Sequence, residues 1–168
     1  MCGIIGVYCT SYGICANLIF NGLKYMQNRG YDSAGVCSII DGSHVIRKYA
    51  STTDCSALQR LEPVLKDPTG IYSDSLIGFG HTRWATHGSK TDNNSHPHNS
   101  FDGKFTIAHN GILENFESIK RYLLSNNKNM VFKSDTDTEI ICNLIAYVYQ
   151  TETNHSTDND VRKAIEIA

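Results

Sequence analysis

Nothing in this sequence is long and unbroken enough in apolar character to form a membrane-spanning helix. The most apolar stretch, Ile14 to Leu23, is short and interrupted by Asn17, Asn21 and Gly22. No basic segment precedes an apolar run at the N-terminus and no small-residue cleavage site follows one, so no secretory signal is read there. Charge of one sign is lacking too. Fifteen Lys and Arg stand against 17 Asp and Glu, for a net charge of -2, and the basic residues are scattered. Nucleic acid and anionic membrane are therefore not expected partners. No two of the six cysteines have C-x-x-C spacing, H-E-x-x-H is absent, and His96-Pro97-His98 lacks partners at metal-ligand spacing. No metal and no cofactor are expected. The cysteines read as reduced thiols, which suits a cytoplasmic compartment. Internal repeats and low-complexity tracts are absent, which argues against repeat architectures.

What is present suits one globular domain. At 168 residues, with 40% hydrophobic and 19% charged residues, the chain has enough apolar material for a proper core. Ile4 to Tyr8 is a short β-branched run and reads as a buried strand. Apolar residues at helical spacing from Ile14 to Met26 predict a helix, and the glycine-punctuated stretch 28–35 predicts a loop. Gly35 to Ile40 and His44 to Tyr49 read as strands joined at Asp41-Gly42, a strong hairpin signal. A helix is predicted near Asp54 to Lys66, with Pro63 limiting its last turn. Leu76 to His81 and Lys104 to His109 read as strands, and the polar stretch 82–99 between them as a long loop, which in a compact domain usually has a job. Helices are predicted over 114–124 and from Thr136, where Glu139 completes a capping box and Ile140, Ile141, Leu144 and Val148 form the buried face. Residues 151–160 read as a surface loop, with a last helical pattern over 161–168. Hairpin signals without regular β-α-β alternation favour an α+β layered fold.

Cys2 stands directly behind the initiator Met1, in the run Met1-Cys2-Gly3-Ile4-Ile5-Gly6. Removal of Met1 would leave a thiol and a free α-amine on one residue. These groups titrate within about one unit of each other, so the amine can take the thiol's proton. Nucleophile and base then come from one residue. Three further clusters carry reactive or charged groups. They are Arg29 to Gly35, His81 to Gly88, and His109-Asn110-Gly111 with Asp135 to Glu139 downstream. Each has a plainer reading. Arg83 on a polar loop is ordinarily a solvated charge, Asp137 at a helix N-terminus is favoured by the dipole, and Asn110-Gly111 is a common turn dipeptide.

The order of MCGIIG, RGYDSAG at 29–35, HTRWATHG at 81–88, NSHPH at 94–98, HNGILEN at 109–115 and SDTDTE at 134–139 resembles the class II (N-terminal nucleophile) glutamine amidotransferases. The likeness covers essentially the whole chain and is weakest over 41–74 and 150–168. Tyr31 and Trp84-Ala85 resemble the sugar-aminating branch, whose full enzymes pass ammonia to fructose 6-phosphate for hexosamine synthesis. The purine-pathway branch usually carries Gln and Tyr-Ser at those positions. The resemblance implies a four-layer α/β/β/α sandwich of the N-terminal nucleophile hydrolase type. It also implies that residues 1–168 form a single, C-terminally truncated glutaminase domain, without the sugar-isomerase domains that bind fructose 6-phosphate and with a homo-oligomer as an option for the full-length enzyme.

The resemblance further implies Cys2 as nucleophile and Asn110 and Gly111 as the oxyanion hole. Arg83, Thr86 and His87 would hold the glutamine α-carboxylate, and Asp137 its α-ammonium. Arg29 would order the nucleophile's surroundings, with Trp84 where ammonia departs. A guanidinium matches a carboxylate with two parallel hydrogen bonds, which makes Arg83 a sound clamp. Two alternatives stay open at this point: a catalytically silent glutamine-binding or partner-docking module, and the glutaminase part of another class II enzyme such as amidophosphoribosyltransferase.

Overall fold

A computed structural model of the chain describes residues 2–84, 89–152 and 158–168. The chain divides into two compact units, one built from Met1–Pro97 and Ala108–Asn110, the other from His98–Ile107 and Gly111–Ala168.

The first unit is organised by alternation. In β1 (Gly3–Tyr8) Ile5 and Val7 turn toward the core, whereas Ile4 and Tyr8 are exposed. β2 (Ser33–Ile40) and β3 (Ser43–Ala50) form the expected hairpin. Asp41 and Gly42 take φ of 50° and 72°, the left-handed pair that a tight two-residue turn requires. β4 (Ile77–Arg83) inserts between β1 and β2, giving an antiparallel sheet of order β1-β4-β2-β3. α1 (Cys15–Tyr25) lays Ile19, Phe20 and Leu23 on one face of this sheet. α2 (Ala57–Leu65) adds Leu58, Leu61 and Leu65, and Tyr72 closes the cluster. Ile4, Tyr8, Ile39 and Ile77 are left exposed.

Three boundaries differ from expectation. α2 begins at Ala57 rather than near Asp54. The Ser56 hydroxyl accepts from the Gln59 N–H, and Gln59 Oε1 accepts from the Ser56 N–H at 2.7 Å, a capping box that fixes the start. β4 runs on to Arg83 because Ser33 of β2 pairs with it. Arg83 is therefore a buried strand terminus and not a solvated loop residue. The predicted loop at 28–35 likewise gives way to β2 at Ser33.

In the second unit β5 (His98–Asn99) pairs with β6 (Thr106–Ile107) through a turn in which the Ser100 hydroxyl donates to Asp102. The predicted strand 104–109 shrinks to two residues because β5 offers it only two partners. α3 (Phe116–Asn126) and α4 (Asp137–Glu152) pack around Leu123, Met130 and Ile140. α4 starts where the Thr136–Glu139 signal places it. The Glu139 carboxylate accepts from the N–H groups of Lys133 and Ser134 and from the Ser134 hydroxyl. Ile140 and Val148 are buried as expected, and Ile141 and Leu144 pack as partly buried neighbours. α4 continues into the stretch predicted as loop, and α5 (Asp158–Ile167) begins before Val161. No described helix is long and apolar enough to cross a membrane.

Candidate active site

Cys2 immediately precedes β1, whose first residue, Gly3, pairs with Thr82 of β4. This register carries the cysteine to the end of β4 at Arg83, beside Trp84. The Trp84 N–H donates to Cys2 Sγ at 3.3 Å, and the Cys2 thiol lies 3.8 Å from the Trp84 carbonyl oxygen. The backbone of Arg83 is fixed from the other side, where its carbonyl accepts from the Asp32 N–H at 3.1 Å. Asp32 is itself buried, with its carboxylate 2.6 Å from Lys90 Nζ. The Trp84 ring is part exposed and meets the Tyr31 ring edge-on at 5.1 Å. Residues 32–34 of one cluster and 81–83 of another are thus joined beside Cys2 through backbone pairing.

Asn110 supplies the third approach. Its side-chain Nδ2 donates to the Cys2 carbonyl oxygen at 3.4 Å, and its Oδ1 lies 2.8 Å from His81 Nε2. His81 sits inside β4 and is almost wholly buried. Burial pushes its pKa down to about 4; the hydrogen bond to Asn110 opposes this, and the Arg83 and His109 charges reinforce it. The His81 ring stacks on His96 with centroids 4.5 Å apart, and His96 Nδ1 accepts from the His109 N–H at 3.4 Å. Sequence reasoning weighed these histidines only as metal ligands or structural residues. The hydrogen bond spans 29 positions and joins a residue of β4 to one outside any strand, a meeting that no local pattern announces. Among the described residues no group of three or more His, Cys, Asp or Glu side chains could hold a metal.

Arg29 ends an exposed 3-10 turn, Gln27–Arg29. Thr86 and His87 lie outside the described residues. Gly111 and Asp137 belong to the second unit. There Asp137 is the first residue of α4, and its carboxylate accepts from the Leu113 N–H at 2.8 Å. That bond ties the SDTDTE segment to the HNGILEN segment. Cys142, by contrast, is inert. Burial, with Asp102 and Glu139 nearby, raises its thiol to about 12, and its Sγ lies 3.4 Å from the carbonyls of His98 and Phe105.

A family model described as glutamine amidotransferase domain matches residues 36–155. Among curated relatives, glutamine–fructose-6-phosphate aminotransferase [isomerizing] of Pyrococcus horikoshii is 43% identical over 145 residues, covering 86% of this chain and 22% of the relative. The protein of the same name from Corynebacterium diphtheriae is 40% identical over 172 residues, covering 99% of this chain and 25% of its own length. The chain thus spans about a quarter of these relatives. Two solved structures share its fold over 98% of the chain at 21% identity. One is glutamine phosphoribosylpyrophosphate amidotransferase from B. subtilis, with a TM-score of 0.64, and the other an allosteric regulatory enzyme of purine biosynthesis, with 0.67. That likeness establishes the α+β fold of the N-terminal nucleophile type read from the motifs.

Proposed function

Because the chain belongs to the glutamine amidotransferase domain family, we propose that it hydrolyses glutamine to glutamate and ammonia with Cys2 as nucleophile. The observation that carries this reading is the meeting of two donors at one cysteine. The Trp84 N–H lies on its sulfur and the Asn110 amide on its carbonyl, from positions 82 and 108 residues downstream. Once Met1 is removed, the Cys2 α-amine takes the thiol proton and the sulfur attacks the side-chain amide carbon of glutamine. The amide oxygen becomes an oxyanion that Asn110 Nδ2 and the Gly111 N–H stabilise; losing one such donor typically costs about 10²–10³ in rate. The proton passes from the α-amine to the departing nitrogen, ammonia leaves, and a γ-glutamyl thioester remains. Water, deprotonated by the same amine, then releases glutamate and restores the thiol.

Arg83, with Thr86 and His87, holds the α-carboxylate and Asp137 the α-ammonium in this reading. Arg29 supports the loop around the nucleophile, and Trp84 and Tyr31 flank the route by which ammonia departs. Within a longer enzyme the ammonia serves amination of fructose 6-phosphate to glucosamine 6-phosphate. The names of the relatives at about 40% identity and the residues Tyr31 and Trp84 support that acceptor. Cytoplasmic residence suits the reduced thiols. The test is release of glutamate and ammonia from glutamine. Turnover by the wild type that disappears in Cys2→Ala is expected, and binding of glutamine without turnover would instead indicate a silent binding module.

A further inference from the structure

We infer that His81 is a positioning residue that holds the Asn110 amide with its nitrogen, and not its oxygen, toward Cys2. A carboxamide has two faces of nearly equal shape and opposite polarity. Turned one way, Asn110 offers an N–H to charge developing on a substrate oxygen; turned the other, it presents a lone pair that repels that charge. The choice falls to whatever binds the far end of the amide. That group is His81 Nε2, 2.8 Å from Asn110 Oδ1. Since Oδ1 can only accept, Nε2 carries the hydrogen and donates it. The near end, Nδ2, then reaches the Cys2 carbonyl at 3.4 Å with a second N–H to spare.

The surroundings fix this tautomer. His81 Nδ1 is buried and has no hydrogen-bond partner, a position that tolerates a bare lone pair better than a stranded N–H. The Arg83 charge and burial disfavour the doubly protonated ring. The ring cannot readily turn over, because it lies against His96, whose Nδ1 takes the His109 N–H. His96 is in turn held close to the sheet by the glycine opposite His81. Gly35 pairs with His81 across β2 and β4, and a Cβ on it would overlap the His96 carbonyl oxygen. Lys48 Nζ fastens the same segment by donating to the carbonyls of Asn93 and Ser95. RGYDSAG, NSHPH, HTRW and HNG therefore contribute successive parts of one support, ending at the amide beside the nucleophile. Such support decides whether an oxyanion donor is pre-aimed or must reorganise during the reaction.

This inference rests on the glutaminase reading, and two measurements on the full chain separate them. The first is the histidine-ring tautomer from long-range ¹H–¹⁵N correlation near neutral pH. His81 protonated on Nε2 alone is expected, and protonation on Nδ1, or on both nitrogens, overturns the inference whether or not the chain turns over glutamine. The second is kinetic. In His81→Leu, kcat for glutamine hydrolysis should fall about 10- to 100-fold with KM little changed, because the oxyanion exists only past the ground state. His81→Gln, whose amide N–H can reach the same oxygen, should recover most of the loss. In an Asn110→Ala background His81→Leu should have little further effect. Equal losses in His81→Leu and His81→Gln, or the same fold-loss with Asn110 already removed, would contradict it.

Discussion

His81 has a second consequence, on stability. Its pKa in the folded chain is lowered to about 4, first by burial, against about 6.5 in an unfolded chain. The unfolded state therefore binds a proton before the folded state does. The stability this histidine contributes is intact above pH about 6.5 and is lost as pH falls toward about 4. Urea midpoints of the wild type should drop across that window. Those of His81→Gln, which does not titrate, should drop less. Parallel curves for the two proteins would show that His81 is not buried in its neutral form. The residues that carry chemistry were legible for different reasons. Cys2 shows itself by its place behind Met1, and Arg83 and Asn110 by motif. Arg83's burial was not legible, because it comes from strand pairing with Ser33, 50 positions earlier.

The β2–β3 hairpin was legible because Asp41-Gly42 supplies the only backbone the turn accepts. β6 was overestimated because a strand is only as long as its partner, and partner length is not a local property. α2 was placed correctly and started too early, since the Ser56–Gln59 reciprocal cap outranks the apolar pattern. β2 also links packing to the site. Gly35→Ala would press a methyl group on the His96 carbonyl and bring it within 2.7 Å of Lys48 Cβ. Overpacking of this kind typically costs about 1–3 kcal/mol. The loss should appear in denaturant unfolding together with a fall in kcat, as the His96 and His81 rings shift. An unchanged kcat at reduced stability would show that the glycine serves only the sheet.

Across the chain, the fold was legible as α+β from hairpin signals and from the order of motifs, and solved structures at 21% identity share it. Its division into two compact units was not, because both units draw on separated stretches of sequence, and Ala108–Asn110 returns to the first after β5 and β6 have joined the second. That return places Asn110 beside Cys2. The account as a whole depends on one thiol of six being the nucleophile. Cys9, Cys15, Cys37 and Cys142 are buried, and Cys55 is part exposed far along the chain. The most direct measurement is intact mass and peptide mapping after reaction with the glutamine analogue 6-diazo-5-oxo-L-norleucine. The account predicts a chain that begins at Cys2 and carries one label, on Cys2. A fully active chain that retains Met1, or a label on any other cysteine, would contradict it.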